Sequence, residues 1–135
     1  MNRILAIILL SLLPIGLLHS DAPGQKTHPI TFSLKKNVDG KYDLQMDLPP
    51  DYGFQKDAPH RILLSGKGTL VVKKADLTFV GPSHPKKSEY FEYVKAMPLT
   101  LEGVGELELN AKIFYCNFKK NICIPGKVSE ILSVP

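Results

Sequence analysis

Cys116 and Cys123 are the residues in this chain best suited to chemistry. They are its only two cysteines, separated by the six residues Asn117-Phe118-Lys119-Lys120-Asn121-Ile122. That spacing suits facing positions on neighbouring antiparallel strands, where Cα atoms lie about 4.5–5.5 Å apart, within reach of a disulfide. Two chemistries are open to such a pair. As a staple, the bridge closes a loop of about eight residues and contributes on the order of 2–2.5 kcal/mol through the entropy of the unfolded chain. As an exchanging pair it needs an accessible sulfur and a stabilised thiolate. Lys119 and Lys120, with no acid between the cysteines, supply positive charge that favours the thiolate. A short hairpin loop closed by a bridge is also prone to strain, and strained, exposed disulfides are the more reducible ones. The spacing is not C-x-x-C, so an autonomous thioredoxin-type oxidoreductase is not expected.

Other chemistries find less support. With two cysteines and dispersed histidines, four-ligand zinc spacing is absent, and no metal or cofactor is expected. His28, His60 and His84 each lie beside or near a proline and read as loop residues. There is no Gly-x-Ser-x-Gly elbow and no phosphate-cradling glycine loop. Tyr90, Phe91 and Tyr93 read as a strand with one buried face, the alternative being the wall of a ligand groove.

The element that positions the first cysteine is the clearest strand in the sequence, Gly105 to Cys116. Leu107, Leu109, Ala111, Ile113 and Tyr115 share one face of it, the period of two expected of a half-buried strand. Cys116 falls on the other parity, with Glu106, Glu108, Asn110, Lys112 and Phe114. Unless a bulge intervenes, this directs Cys116 to solvent, where a partner can reach it. After Cys123, Val128 to Val134 reads as a last strand that closes the sheet. Earlier in the chain, Ile30, Phe32 and Leu34 alternate with polar residues, and Tyr42, Leu44, Met46 and Leu48 do the same. Asn37-Val38-Asp39-Gly40 joins the two as a hairpin turn. Pro49-Pro50 ends the second strand. Short strands are expected at Arg61–Ser65, Thr69–Lys73, Leu77–Val80, Tyr90–Val94 and Leu99–Leu101, with a polar loop at Ser83–Ser88. Many short alternating runs between Gly and Pro turns argue for an all-β sandwich or barrel.

The amino terminus sets the compartment. Met1-Asn2-Arg3 is a short basic start, and Ile4 to Leu18 is apolar apart from Ser11. That run is within signal-peptide range and short of the roughly 20 residues needed to span a bilayer. The expected division is a signal peptide over 1–20, cut after Ser20, a flexible segment over 21–29 and one β domain over 30–135. Export to the periplasm or outside the cell places the cysteines where a disulfide persists, and no membrane span is expected once the leader is gone. The formal charge is +4, but the lysines come as scattered pairs rather than one stripe. They read as solvated surface, and no nucleic-acid partner is expected.

Four stretches also carry a likeness. Leu48-Pro49-Pro50-Asp51-Tyr52-Gly53-Phe54 with Lys56-Asp57-Ala58-Pro59, then Lys87-Ser88-Glu89-Tyr90, then Met97 to Leu101, then Leu107 to Tyr115 with Cys116, Cys123 and Pro125, occur in that order. In that arrangement the sequence resembles the amino-terminal domain of the thiol:disulfide interchange protein DsbD, an exported immunoglobulin-like module. The resemblance covers most of residues 30–134. It implies an immunoglobulin-like antiparallel β-sandwich preceded by a signal-peptide helix. It also implies that Cys116 and Cys123 relay reducing equivalents to other exported thiol proteins, with Cys116 linked to the partner and Cys123 resolving. The family's loop before the lysine-serine-glutamate segment caps the cysteines with acidic and aromatic residues. The corresponding stretch, Pro82-Ser83-His84-Pro85-Lys86, has neither, which leaves His84 or Phe118 to take that place. The membrane-embedded and thioredoxin-like parts of that family are not found in this sequence, so a separate membrane electron carrier would supply the electrons. The domain is then a relay rather than a self-sufficient enzyme. The competing expectation is a non-catalytic secreted binding module whose disulfide is structural.

Overall fold

The computed structural model describes residues 27–135. The expected signal peptide, its helix and its cleavage point lie outside the described residues. Ten strands follow in chain order: β1 (Thr31–Lys36), β2 (Tyr42–Asp47), β3 (Tyr52–Gln55), β4 (Arg61–Gly68), β5 (Val71–Ala75), β6 (Ser83–His84), β7 (Lys87–Phe91), β8 (Met97–Glu102), β9 (Gly105–Asn117) and β10 (Ile122–Val134). They form two antiparallel sheets. One has the order β1-β2-β8-β5, and the other β10-β9-β3-β7-β6, with β4 also pairing to β9. Packed against each other, the sheets make the all-β sandwich that the alternating sequence predicts. No helix lies among the described residues.

The alternation works as read. Phe32, Leu44, Met46, Met97, Leu99, Leu107, Leu109, Ile113 and Tyr115 turn inward and form one core with Phe54, Phe91 and Val128. The first hairpin turns at Gly40, whose φ of 73° is open to glycine at no steric cost. Asn37 Oδ1 accepts the N–H groups of Asp39 and Lys41, both at 3.1 Å, which completes the turn.

Three expected boundaries are corrected. Tyr52–Gln55 is a strand where the residues alone suggested a loop after Pro50. Leu77–Val80 is not a strand: it carries the chain from one sheet to the other, so its backbone has no ladder to join. Leu77 and Phe79 still pack against the core, and Asp76 Oδ1 accepts the Thr78 N–H at 3.1 Å. The polar stretch Ser83–Ser88 is largely a tight hairpin of β6 and β7 rather than a loop, and His84 lies in β6.

The pairing that matters most lies along β9. Its carboxyl-terminal end pairs with β3 and its middle and amino-terminal end with β4. The connecting residues 56–60 bulge away from the ladder, and His60 fills the gap. Its Nδ1 accepts the Phe114 N–H at 3.2 Å, which fixes the proton on Nε2, and Nε2–H donates to the Gln55 carbonyl at 2.6 Å. A side chain thus replaces one missing ladder bond. The ring stacks on Phe79 with centroids 4.2 Å apart.

Candidate functional site

Strands β9 and β10 bring Cys116 and Cys123 to one cross-strand position. Their register runs unbroken from Gly105 opposite Val134 to Asn117 opposite Ile122, so no bulge intervenes. The cysteines are joined as a disulfide, with Cα atoms 3.9 Å apart. The turn beyond them is closed by side-chain chemistry. Asn117 Oδ1 accepts the Lys120 N–H at 3.0 Å, and Asn121 takes a left-handed φ of 51°, which asparagine tolerates better than most residues. The Phe118 N–H donates to the Asp51 carbonyl at 2.8 Å and ties the tip to the turn before β3.

Parity holds, but the exposure inferred from it does not. Cys116 lies on the face opposite Tyr115 and Ile113, yet it is only 2% exposed, while Cys123 is exposed. The outer face of the sheet is not bare at this point. Gly53 stands opposite Cys116 on β3, and a Cβ there would fall 2.5 Å from Cζ of Phe118. The missing side chain leaves room for the Phe118 ring to fold back over the sheet. That ring meets Tyr90 edge-to-face at 5.0 Å and His84 at 5.6 Å, with Lys87 Nζ 5.1 Å from its centre. Phe118, with Tyr90 and His84 against its ring, thus forms an aromatic cover beside the cysteines, drawn from the hairpin, β7 and β6.

Each sulfur has its own neighbour. Gln55 Nε2 donates to Cys116 Sγ at 3.1 Å. The Tyr90 hydroxyl lies 3.8 Å from Cys123 Sγ. Of the two lysines expected to favour a thiolate, Lys119 is taken up elsewhere: its Nζ is held 2.8 Å from Asp51 Oδ2. The hydrogen bond and charge of Asp51 raise the Lys119 pKa above its ordinary value, so this cation is already partnered.

Sequence reasoning identified both cysteines and missed Gln55, Gly53 and the role of Tyr90. Parity on β3 is the signal that finds them. Gly53 and Gln55 share the face opposite the core residue Phe54, so pairing β3 with β9 sets both beside Cys116. Of the aromatic trio, Phe91 ends β7 as a buried residue, while Tyr93, beyond the strand, is exposed. Together with His84 and Tyr52 they border a cleft of about 250 Å³. Among the described residues no three of His, Cys, Asp and Glu converge as metal ligands, and no helix is long and apolar enough to cross a membrane. No family model matches the chain, and neither a curated protein nor a solved structure matches it.

Proposed function

We propose that this domain is an exported thiol–disulfide exchange module that passes reducing equivalents through the Cys116–Cys123 pair. The observation that carries the reading is the asymmetry of the pair. Cys123 is an exposed residue on the edge strand, and Cys116 is buried with its sulfur against an amide donor. Exchange needs an accessible sulfur to attack and a stabilised thiolate to leave, and a bridge that only staples has use for neither. The ordered likeness to the DsbD amino-terminal domain supports the same reading, and so does the expected leader, which places the protein in the periplasm or outside the cell.

The exposures reverse the roles expected for the two cysteines. A partner thiolate attacks Cys123 Sγ and forms an intermolecular disulfide. The Cys116–Cys123 bond breaks, and its electron pair leaves on Cys116, whose thiolate accepts the Gln55 amide hydrogen. The partner's second thiol, losing its proton to solvent, then attacks its own bonded sulfur and releases the Cys123 thiolate. The domain ends as a dithiol and the partner as a disulfide. Run in reverse on a second partner, the same steps hand the two electrons on.

Trapping tests this. Cys116→Ala, which leaves Cys123 without its resolving partner, is expected to retain a covalent protein partner from the exported fraction, released by dithiothreitol. Cys123→Ala, whose remaining thiol is buried, is expected to trap far less. Equal trapping by the two variants would remove the role assignment, and stronger trapping by Cys123→Ala would reverse it. Trapping by neither would favour a non-catalytic module with a structural bridge.

A further inference from the structure

Three cations stand side by side across the sheet. Arg61 on β4 faces Lys112 on β9, and Lys112 faces Lys127 on β10. All three are exposed. Neighbouring strands lie about 4.8 Å apart, so the row spans roughly 10 Å. Like charges directly opposite destabilise a strand pair, yet none of the three has an ion-pair partner among the described residues. Glu108, on the same face of β9, is held instead by Lys67 at 2.7 Å. Lys112 Nζ rests 5.3 Å from the centre of the Phe114 ring. Beneath the row runs a shallow, largely apolar groove of about 390 Å³, lined also by Leu63, Ala111 and Val128. Repulsion among them works against stability, and a local positive field of this kind has a use in steering an acidic partner.

The position of the row suggests that use. Lys112 and Cys116 share a face of β9 four residues apart, as Lys127 and Cys123 do on β10. That separation is about 13 Å along the strand. A partner laid along the outer face of β9 and β10 from Cys123 toward the row meets the three cations. Resting on the exchange reading above, we propose that this face of β4, β9 and β10 docks the exchange partner. The partner is an acidic protein that carries carboxylates about 13 Å from its reactive cysteine. Anionic lipid would meet the same charges, but the shared face with Cys123 favours an occupant that brings both a thiol and carboxylates.

Two synthetic dithiol peptides, identical except for an aspartate or a serine tract, supply the test against the oxidised protein. The aspartate peptide is expected to reduce the disulfide about tenfold faster at low salt, in line with electrostatic steering. That advantage should vanish at high salt and in the triple variant R61S/K112S/K127S, while reduction by dithiothreitol proceeds equally in both proteins. Equal rates with the two peptides would overturn the docking proposal and leave exchange intact. If dithiothreitol itself fails to reduce the bridge, the exchange reading fails. Docking is then judged by fluorescence anisotropy with a cysteine-free aspartate peptide, whose binding must depend on the row. Flotation with phosphatidylglycerol vesicles decides the source of the anion: row-dependent capture by vesicles, with no preference for the acidic peptide, would overturn the protein partner.

Discussion

Gln55 carries the most specific consequence at the scale of single residues. Its amide donates to the sulfur that leaves as an anion in the proposed exchange, and hydrogen bonds to charged groups contribute about 1.5–3 kcal/mol. Gln55→Leu is therefore expected to raise the Cys116 thiol pKa by about one unit, since one unit corresponds to about 1.4 kcal/mol. Thiolate absorbance in a Cys123→Ser background, where Cys116 is the sole thiol, measures it. An unchanged midpoint would remove Gln55 from the chemistry. His60 makes a second prediction. Burial lowers its pKa below the ordinary 6.5, against the smaller raising effect of the Gln55 carbonyl. As pH falls through 6.5 the unfolded chain gains a proton that the folded chain resists, so the stability held above that pH is lost below it. Protonation also removes the acceptor for the Phe114 N–H. Denaturation midpoints should fall between about pH 7 and pH 5, and His60→Leu should flatten that slope while lowering stability throughout.

At the scale of elements, the terminal hairpin sets both the geometry and the asymmetry of the pair. Gly53→Ala is expected to push the Phe118 ring off β3, because the new Cβ would fall 2.5 Å from it. Cys116 is then uncovered, and dithiothreitol should reduce the bridge several-fold faster. An unchanged rate would mean that the aromatic cover does not guard the sulfur. The core side of the same strand should answer differently. Leu109→Ala, at a fully buried position, is expected to cost about 2–5 kcal/mol of stability without altering the Cys116 pKa. Elements with regular alternation, such as β1, β2 and β9, were legible in the sequence because burial on one face leaves a period of two. Parity also assigned Cys116 correctly to the outer face. What parity cannot carry is who sits on that face. The cover comes from Phe118 folding back over a glycine and from Tyr90 on a strand distant in sequence. Strand β3 escaped the residue pattern because four residues after two prolines leave too little alternation to register. Leu77–Val80 misled in the opposite sense, as apolar residues that pack on the core without joining a ladder.

At the scale of the whole molecule, a sandwich of two sheets holds the disulfide at one edge beside one basic face. The exposed residue Cys123, the amide at Cys116 and the cation row of Arg61, Lys112 and Lys127 all belong to the outer face of the β9 sheet. The opposite face of that sheet builds the core, so changes to the outer surface should alter exchange more than folding. Redox equilibration of the oxidised protein with glutathione buffers tests the central claim most directly, with the thiol and disulfide forms quantified after acid quench. The pair is expected to reduce within the glutathione range, at a potential above about −300 mV. A bridge that stays oxidised across that whole range would contradict it and leave Cys116 and Cys123 as a staple.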